Sequence, residues 1–439
     1  MTLRWIWRVG RKANAEKRAV RMNGYSPEPP GVLVVCQLFY PELVSSGQTM
    51  TELCEELVAL GAEVEVICGP PTIVDRKSRI PRILKYKGIT VKRVWGTRLS
   101  KLSFSGKLVN HLTFFCSAFF RLLFDSSKRP VLATTNPPFL GVACAAAGIL
   151  RGKKYIYVVF DVYPDTAERL GVIKERGFVA RVWDWWNEKI LRRASSVVVL
   201  GREMENLILK KGRGRSSLAA KIRVIHVWSD DRRIAPVEKK ENPLRQRWNL
   251  EGKFVISYSG NMGRFHDMET IMETARELAD IDDMCFLFIG EGQKKKWMEG
   301  YSERWNLTNC RFRTYVPRRE LGISLACADV GLVSLMPGQA GLSEPSKTFG
   351  ILAAGVPVIA VVPPQSEIVR IIREYDCGII VEPNDVKGLT KAVKRLYFDS
   401  DATARLAKNA VRAVREKYSL KNAAAEYFDL IRSNQDGHS

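Results

Sequence analysis

Short continuous apolar runs alternate with segments of helical spacing along most of the chain. Val32–Cys36 is one such run; apolar positions from Met50 to Leu60 then repeat at helical spacing, Gly61 stops the pattern, and a second apolar run follows at 63–69. A strand, a helix and a strand in this order are typical of a parallel sheet. Further strands are predicted at 131–135, 154–161 and 195–200, with an alanine-rich buried helix between Phe139 and Leu150.

The second half of the chain repeats this order. Strands are predicted at 254–260, 285–292, 310–317, 330–335, 357–362 and 377–383. Helices are predicted from about Asp267, around 319–327, at 346–354, and as two long amphipathic segments ending near residue 432. The polar, proline-containing stretch 232–243 between the halves is typical of a linker.

These patterns predict an α/β fold of two doubly wound Rossmann-like domains that face each other across a cleft. The expected division is a basic tail at 1–30, a first domain at 31–231, the linker at 232–243, a second domain at 244–415, and a last helix at 416–439 that packs back on the first domain.

Composition excludes several classes of protein. At 439 residues and 46% hydrophobic content, the chain is long enough for two domains and too polar for a multi-span membrane protein. Its nine cysteines are scattered and form no CxxC pair, which argues against a disulfide framework and a structural zinc site and favours a reducing compartment. The short apolar patch at the start is interrupted by Arg8, so no cleavable signal is expected.

Positive charge is concentrated in one region. The net charge is +22, and residues 76–129 contain fourteen Lys and Arg but only one acid. The segment 107–124 within this region predicts an apolar helix with basic edges, too short and too interrupted to span a bilayer. Such a helix suits the headgroup layer of an anionic leaflet. The patch predicted to meet the membrane comprises Arg98, Lys101, Lys107, Phe114, Phe115, Phe119 and Arg121.

Other interpretations of this charge stay open. The helix could be an ordinary core helix with solvated flanks, and the basic tail with Trp5 and Trp7 could be a second membrane contact or disordered. A nucleic-acid partner would also explain the charge. Because the basic excess lies beside a hydrophobic helix and no nucleic-acid recognition motif is present, no nucleic-acid partner is expected.

A glycine-rich turn, Gly260-Asn261-Met262-Gly263, follows a predicted strand and precedes a helix. Such a junction presents backbone N–H groups and the positive end of the helix dipole, and glycine lets an anion approach closely. Arg264 adds a side-chain charge, which favours a phosphate site over the alternative, a tight turn with a helix cap.

A second candidate phosphate site lies at 337–360. Ser346 begins a predicted helix, and Lys347 stands in its first turn, where a cation is electrostatically unfavourable. A bound diphosphate would offset that cost, whereas the alternative is a solvated lysine.

The motifs "FYPELVSSGQTMTEL" (39–53), "FDVYPD" (160–165), "YSGNMGR" (258–264) and "EPSKTFGILAAGVPVIA" (344–360) resemble those of retaining family-4 glycosyltransferases of the two-domain GT-B type. The chain is similar to the subgroup that builds bacterial O-antigen, capsule and colanic-acid-like chains, including proteins assigned as fucosamine transferases. The likeness extends over about 32–427.

The resemblance implies a nucleotide diphosphate sugar as donor, bound chiefly by the second domain. The donor is expected to be UDP-linked, with an N-acetylated deoxyhexosamine among the candidate sugars. The implied acceptor is a polyprenyl-diphosphate-linked saccharide on the side of the first domain and of its basic patch, at the cytoplasmic face of the inner membrane. It implies catalytic roles for Asp161, Arg264 and Lys347, although the Asp161 carboxylate could instead cap the following turn. The donor site implied by the resemblance comprises Gly47, Gly260, Asn261, Gly263, Arg264, His266, Gly341, Glu344, Ser346 and Lys347.

The chain departs from the family pattern at several positions. Where many members carry the second glutamate of a Glu-x7-Glu pair, this chain has Gly350, and the leading acidic position falls at or near Ala340. Glu344 is the nearest carboxylate, Phe160 replaces a frequent histidine, and His266 stands near the position of a missing second basic residue. An inactive member of the family is therefore an alternative, as is a sugar-nucleotide epimerase of the same fold.

No metal and no cofactor are expected. The Asp-x-Asp sequence at 399–401 lies at a predicted helix start, where aspartates cap N–H groups, and the four histidines form no cluster in the sequence.

Overall fold

Two sheets, one in each half of the chain, organise the structure, a computed structural model that describes residues 29–42, 46–71, 80–99 and 104–436. Residues 1–28 of the predicted tail lie outside these ranges.

The first domain contains eight strands and seven α-helices in its described residues. The strands are β1 (Gly31–Val35), β2 (Glu63–Cys68), β3 (Ile83–Tyr86), β4 (Ile89–Arg93), β5 (Val131–Thr134), β6 (Tyr155–Val159), β7 (Ser196–Val199) and β8 (Ile222–Val224). The helices are α1 (Ser46–Ala59), α2 (Phe104–Leu123), α3 (Leu140–Arg151), α4 (Asp165–Arg169), α5 (Phe178–Arg193), α6 (Arg202–Lys211) and α7 (Ser216–Ala219).

The second domain continues the same alternation of strands and helices. Its strands are β9 (Phe254–Ser259), β10 (Met284–Ile289), β11 (Cys310–Arg313), β12 (Val330–Ser334), β13 (Val358–Val361) and β14 (Gly378–Val381). Its helices, with the last one of the chain, are α8 (Pro243–Arg247), α9 (Met268–Glu277), α10 (Lys295–Arg304), α11 (Leu321–Leu325), α12 (Lys347–Ala353), α13 (Glu367–Tyr375), α14 (Val386–Phe398), α15 (Ser400–Ala413) and α16 (Leu420–Asp436).

The first sheet has the order β3-β4-β2-β1-β5-β6-β7-β8 and is parallel except for the β3–β4 pair. Strands β1, β5, β6 and β7 are buried at every position, because helices cover both faces of the sheet. One face packs against α1 and α16, and the other packs against α2, α3 and α5. The antiparallel β3–β4 pair lies inside the basic region and was absent from the sequence-based prediction.

The second sheet has the order β11-β10-β9-β12-β13-β14 and is parallel throughout. The order reverses between β9 and β12, so the connections that follow these two strands leave toward opposite faces of the sheet and open a crevice at its carboxyl edge. In α/β sheets this edge is where ligands bind. The predicted α/β fold of two doubly wound domains is confirmed.

The chain crosses between the domains twice at neighbouring points. Ser229 and Ser419 form a parallel bridge, and the Ser229 amide donates to the carbonyl of Tyr418 at 3.0 Å. Helix α16 then packs on β1 and α1, where the Gln435 side chain accepts a hydrogen bond from the Gly31 amide. The last helix therefore belongs to the core of the first domain.

Candidate active site

The glycine after strand β9 lies against the side chain of Lys347. Gly260 has a φ of 139°, in the region that favours glycine. A Cβ atom placed on Gly260 would lie 3.2 Å from Cε and 3.3 Å from Nζ of Lys347. The two glycine- and lysine-containing motifs, far apart in the sequence, therefore meet at the carboxyl edge of the second sheet.

Lys347 is a half-buried cation that forms no salt bridge with any acid in the described part of the chain. Its ammonium group lies 3.9 Å from the centroid of the Tyr258 ring and donates to the Tyr258 hydroxyl. That hydroxyl in turn donates to the carbonyl of Asn261 at 2.8 Å. Burial lowers the pKa of Lys347 to about 7. The ammonium group is therefore positioned by Tyr258 without being neutralised.

His266 is held beside Lys347 as a neutral ring. Its Nδ1 donates to the carbonyl of Ser334 at 2.6 Å, and its ring meets that of Tyr258 edge-on at 5.9 Å. Burial lowers the pKa of His266 to about 3, and the nearby charges of Lys347 and Lys294 act in the same direction. Because Nδ1 carries the proton, Nε2 is the free acceptor of this ring.

The start of helix α9 differs from the prediction. The helix begins at Met268, and the buried carboxylate of Asp267 accepts hydrogen bonds from the amides of Thr270 and Asn384. The Thr270 amide in the first turn of the helix is thus capped by an internal carboxylate, a cap that the sequence analysis did not predict. The loop that precedes the helix carries the other predicted residues of this phosphate site.

That loop exposes two polar side chains, Asn261 and Arg264, on either side of buried Met262 and Gly263. A Cβ atom on Gly263 would lie 2.7 Å from Nδ2 of Asn261, so the Asn261 side chain packs closely over the backbone of this loop. Within the described residues Arg264 forms no salt bridge, which leaves its guanidinium available to an anion.

Two further predicted donor residues face the first domain. Gly341, with a φ of 75°, would place a Cβ atom 2.9 Å from the backbone of Glu203 in α6. Oε1 of Glu344 is buried without a hydrogen-bond partner and would lie 3.0 Å from a Cβ atom on Gly201. These contacts give Gly341 and Glu344 a part in joining the domains. Ser346, between them and Lys347, is exposed at the start of α12.

Glu344 belongs to a cluster of acids between the domains. Glu367 accepts a hydrogen bond from the Arg202 amide at 2.8 Å, and Nε2 of His226 lies 2.9 Å from its other oxygen. Burial raises the pKa of Glu344 well above its usual range, and the carboxylates of Glu367 and Glu203 raise it further. Burial and the neighbouring carboxylates thus favour the neutral form of Glu344, which the sequence did not indicate.

Asp161 lies where the first domain touches the loop before α12. Its backbone pairs with Ser343, and the next amide, of Val162, donates to the carbonyl of Leu342 at 2.9 Å. Burial raises the pKa of the Asp161 carboxyl to about 6. The residue lines a small cavity together with Tyr163 and Lys211. The loop 342–347 thus connects the region around Asp161 to Lys347.

Gly47 makes its close contacts within its own domain. A Cβ atom there would lie 2.7 Å from the carbonyl oxygen of Glu42 and 3.0 Å from Cβ of Leu38. The glycine lets helix α1 begin tightly against the preceding loop. These contacts explain why glycine is needed at position 47. None of them involves Lys347.

Helix α2 places some residues of the predicted membrane patch on its buried side and others on its exposed side. Phe114 is fully buried with Ala118 and Leu122, since these positions share the side that packs on the sheet, so its assignment to the surface is wrong. Phe115 and Phe119 are half-buried. Lys107 and Arg121 are exposed, Arg98 is half-buried, and Lys101 lies outside the described residues.

The other side of α2 still exposes Leu108, Leu112 and Phe120. Among the described residues, no helix has the length and apolar character needed to cross a bilayer.

Sequence analysis missed three residues of this region: Tyr258, His226 and Glu367. Tyr258 lies inside the quoted motif, where its place in the strand made it look like a core residue. His226 and Glu367 meet only across the domain boundary, and no local pattern marks them.

Two family models match the chain. One, described as "Glycosyl transferase 4-like domain", matches residues 46–228, and the other, "Glycosyl transferases group 1", matches residues 240–413. The two matches meet within the predicted linker region, so each model covers one of the two domains.

Relatives and solved structures agree with these models. The chain is 30% identical over 61% of its length to a protein of Pseudomonas aeruginosa named as a glycosyltransferase, WbjE, and this match spans 65% of that relative. It is 26% identical over 83% of its length to WcaI of Escherichia coli (strain K12), named as a colanic acid biosynthesis glycosyl transferase, and spans 91% of it.

The structure of HepE from Anabaena in complex with UDP-glucose superposes with a TM-score of 0.68 at 14% identity, covering 92% of this chain and 99% of that one. At that identity the likeness concerns the fold. Taken with the two family models, it leads to one conclusion: the chain belongs to the family-4 glycosyltransferases with the GT-B fold.

Proposed function

We propose that this protein transfers a sugar from a nucleotide diphosphate sugar to a lipid-linked saccharide during bacterial cell-envelope polysaccharide synthesis. The observation that carries the proposal is the ammonium group of Lys347, held against Gly260 and Tyr258 with no acid to neutralise it among the described residues. A buried cation without a partner is costly, and an anionic ligand removes that cost. A diphosphate has the charge and the size to fill this role.

Arg264 supplies the second positive charge. It is exposed on the loop that starts at Gly260, the residue in contact with Lys347. A guanidinium and an ammonium group on two sides of one pyrophosphate would stabilise the negative charge that grows on the leaving phosphate. We propose UDP as the nucleotide, and the structural neighbour HepE, which was solved with UDP-glucose, supports this choice.

We propose transfer with retention, at the front face of the sugar. As the bond from the sugar to phosphate loosens, the anomeric carbon becomes oxocarbenium-like, and the departing phosphate oxygen takes the proton of the acceptor hydroxyl. Asp161, ionised above pH 6 and located on the acceptor-side domain, would stabilise the positive charge on the sugar. No metal takes part in this scheme, because the positive side chains meet the charge of the diphosphate.

The relatives and the basic surface support a lipid-linked acceptor. WcaI is named for colanic acid biosynthesis, which supports a saccharide as the acceptor. The exposed basic residues Lys107 and Arg121 would attract the anionic leaflet in which such an acceptor resides. The protein would then act as a peripheral enzyme at the cytoplasmic face of the inner membrane.

The test is transfer of radiolabel from UDP- and GDP-sugars to lipid extracted from bacterial membranes. Lys347→Ala and Arg264→Ala should each lower turnover about 10²- to 10³-fold, or about 3–4 kcal/mol in the barrier. Lys296→Ala, which removes an exposed lysine from α10, is the matched control and should act as wild type. Turnover within about threefold of wild type for both active-site variants would refute the assignment.

A further inference from the structure

Helix α5 has an outward face that the first domain leaves uncovered. Its inner side, with Ala180, Asn187, Ile190 and Leu191, is buried against the domain core. Its outer side carries five large apolar residues with exposed fractions between 40% and 75%. This set, named here the α5 outer face, comprises Phe178, Val179, Val182, Trp185 and Trp186. Exposure of so much apolar area at one site indicates a binding surface.

The charged side chains on the outer side of α5 are all basic. Arg181, Arg192 and Arg193 are exposed on the outer side, and the ammonium group of Lys189 lies 4.3 Å from the centroid of the Trp185 ring. These four basic residues form no salt bridge with any acid in the described part of the chain.

The two acids of this helix that point sideways are neutralised. Asp184 pairs with Lys211 at 2.7 Å, and Glu188 pairs with Arg213 and Arg215 at 3.0 and 3.2 Å. The outward side of α5 is therefore both aromatic and positive, which matches an anionic surface better than an apolar or acidic protein partner.

Neighbouring helices extend this surface. Helix α3 packs between α2 and α5 on the same side of the sheet, so the outward sides of the three helices face one way. The end of α3 exposes Ile149 and Leu150, and α2 exposes Leu108, Leu112 and Phe120. Exposed apolar side chains thus extend across the layer, with basic residues interspersed at Arg121 and Arg151.

We propose that the α5 outer face, with the exposed residues of α2 and α3 beside it, lies in the headgroup layer of an anionic bilayer. Trp185 and Trp186, whose rings meet edge-on at 4.9 Å, are the anchors, because indole rings with an apolar body and a polar N–H prefer this layer. The surrounding arginines and Lys189 contact the lipid phosphates.

This placement deepens the proposed function and rests on it, because a membrane surface serves an enzyme whose acceptor is lipid-linked. Helix α5 also borders the cavity at Asp161: the Asn187 side chain donates to the carbonyl of Tyr163 at 2.7 Å, and the Trp183 ring stacks on that of Tyr163 at 5.4 Å. A single helix therefore has one side at the proposed membrane surface and the other at the cavity that Asp161 lines. An acceptor held in the leaflet would reach Asp161 along it.

The experiment is flotation of the full chain with vesicles of phosphatidylcholine, with and without phosphatidylglycerol. Trp185→Ser/Trp186→Ser should lower the fraction bound to phosphatidylglycerol vesicles at least about tenfold. Arg192→Gln/Arg193→Gln should lower it about fivefold per charge removed, and this loss should vanish at high salt. Trp297→Ser/Trp305→Ser on α10 is the matched control, since these tryptophans are 42% and 46% exposed on the second domain.

The outcomes separate this proposal from the proposed function. Calorimetric binding of UDP should be equal in wild type and all three variants, which also shows that they are folded. If the Trp185/Trp186 variant floats like wild type, or the control loses binding equally, the α5 outer face is not the membrane surface. If the wild type self-associates through these tryptophans and does not float, a second copy is the occupant and the proposal is wrong. If flotation behaves as expected but UDP does not bind, the donor assignment fails alone.

Discussion

The affinity of the protein for its donor should depend on pH, and substitution of Lys347 by methionine should abolish that dependence. In the free protein burial lowers the pKa of Lys347 to about 7, whereas its ordinary value is 10.5. A diphosphate beside the ammonium group would raise this pKa again, because it stabilises the charged form. Binding should therefore take up a proton when the pH is above 7.

The magnitude follows from linkage. Below pH 7 Lys347 is already protonated, and affinity should not change. Above pH 7 affinity should fall about tenfold for each pH unit, so that UDP-glucose binds about a hundredfold more weakly at pH 9 than at pH 6, a loss of about 2.7 kcal/mol. Neighbouring His266 does not add to this change, since its pKa of about 3 leaves it neutral throughout.

The assay is titration calorimetry with UDP-glucose at pH 6 to 9 in buffers of different ionisation enthalpy, which reports proton uptake directly. Lys347→Met should bind weakly with no such slope, and Lys296→Met, which alters an exposed lysine on α10, should keep the slope of wild type. An affinity for UDP-glucose that is independent of pH in wild type, or equally dependent in Lys347→Met, would show that Lys347 does not meet the diphosphate.

The lowered pKa of Lys347 also predicts how the stability of the ligand-free protein changes with pH. The folded state releases the Lys347 proton at about pH 7 and the unfolded state near 10.5, so between these values the unfolded state binds more protons. Stability of the wild type relative to Lys347→Met should then rise with pH in this window, by up to about 1.4 kcal/mol per unit. Urea unfolding of both proteins at pH 7 and pH 9 measures the difference, and a falling or constant difference would contradict the burial argument.

Three further predictions concern single positions. Asp161→Asn should lower turnover about 10²-fold, and wild-type turnover should itself fall below pH 6 as the Asp161 carboxyl takes up a proton; a flat pH–rate profile between 5 and 8 would contradict the role. Gly260→Ala should weaken UDP binding, because the added Cβ atom displaces Lys347, and it should lower stability, because the backbone φ is 139°. Calorimetry and unfolding measure these two effects. Gly300→Ala is the control, since a Cβ atom there meets nothing within 4 Å. Phe114→Ala should destabilise the fold by about 3–5 kcal/mol in urea unfolding, whereas exposed Phe120→Ala should change stability by under about 1 kcal/mol; equal losses would refute the assignment of the two sides of α2.

Several features of the fold could be predicted from local sequence. Continuous apolar runs such as Val32–Cys36 indicate strands buried on both sides, and the helical spacing between them indicates parallel connections. The β3–β4 pair was not predicted, because its short strands, of which β3 is exposed on alternate positions, lie in a basic segment that was interpreted by charge alone.

The site could be predicted only in part. The glycines after β9 and the lysine at the start of α12 were visible as motifs, since each needs an unusual backbone or an unusual charge at a defined junction. The role of Asp267 as an internal cap was missed, because a helix start looks the same in sequence whether its N–H groups meet a ligand or the protein's own carboxylate.

The sequence by itself determined the two-domain α/β fold, the family and the residue types at the proposed phosphate site, since these depend on local periodicity and on motifs that are contiguous in the chain. Only the tertiary structure decided which groups meet: Lys347 with Tyr258 and Gly260, Glu344 with Glu367 and with Glu203 of the first domain, and Phe114 with the core. It also showed that both sides of α5 carry large apolar residues and that only the inner side is covered. Burial and long-range proximity depend on how elements pack, and no local pattern specifies that packing.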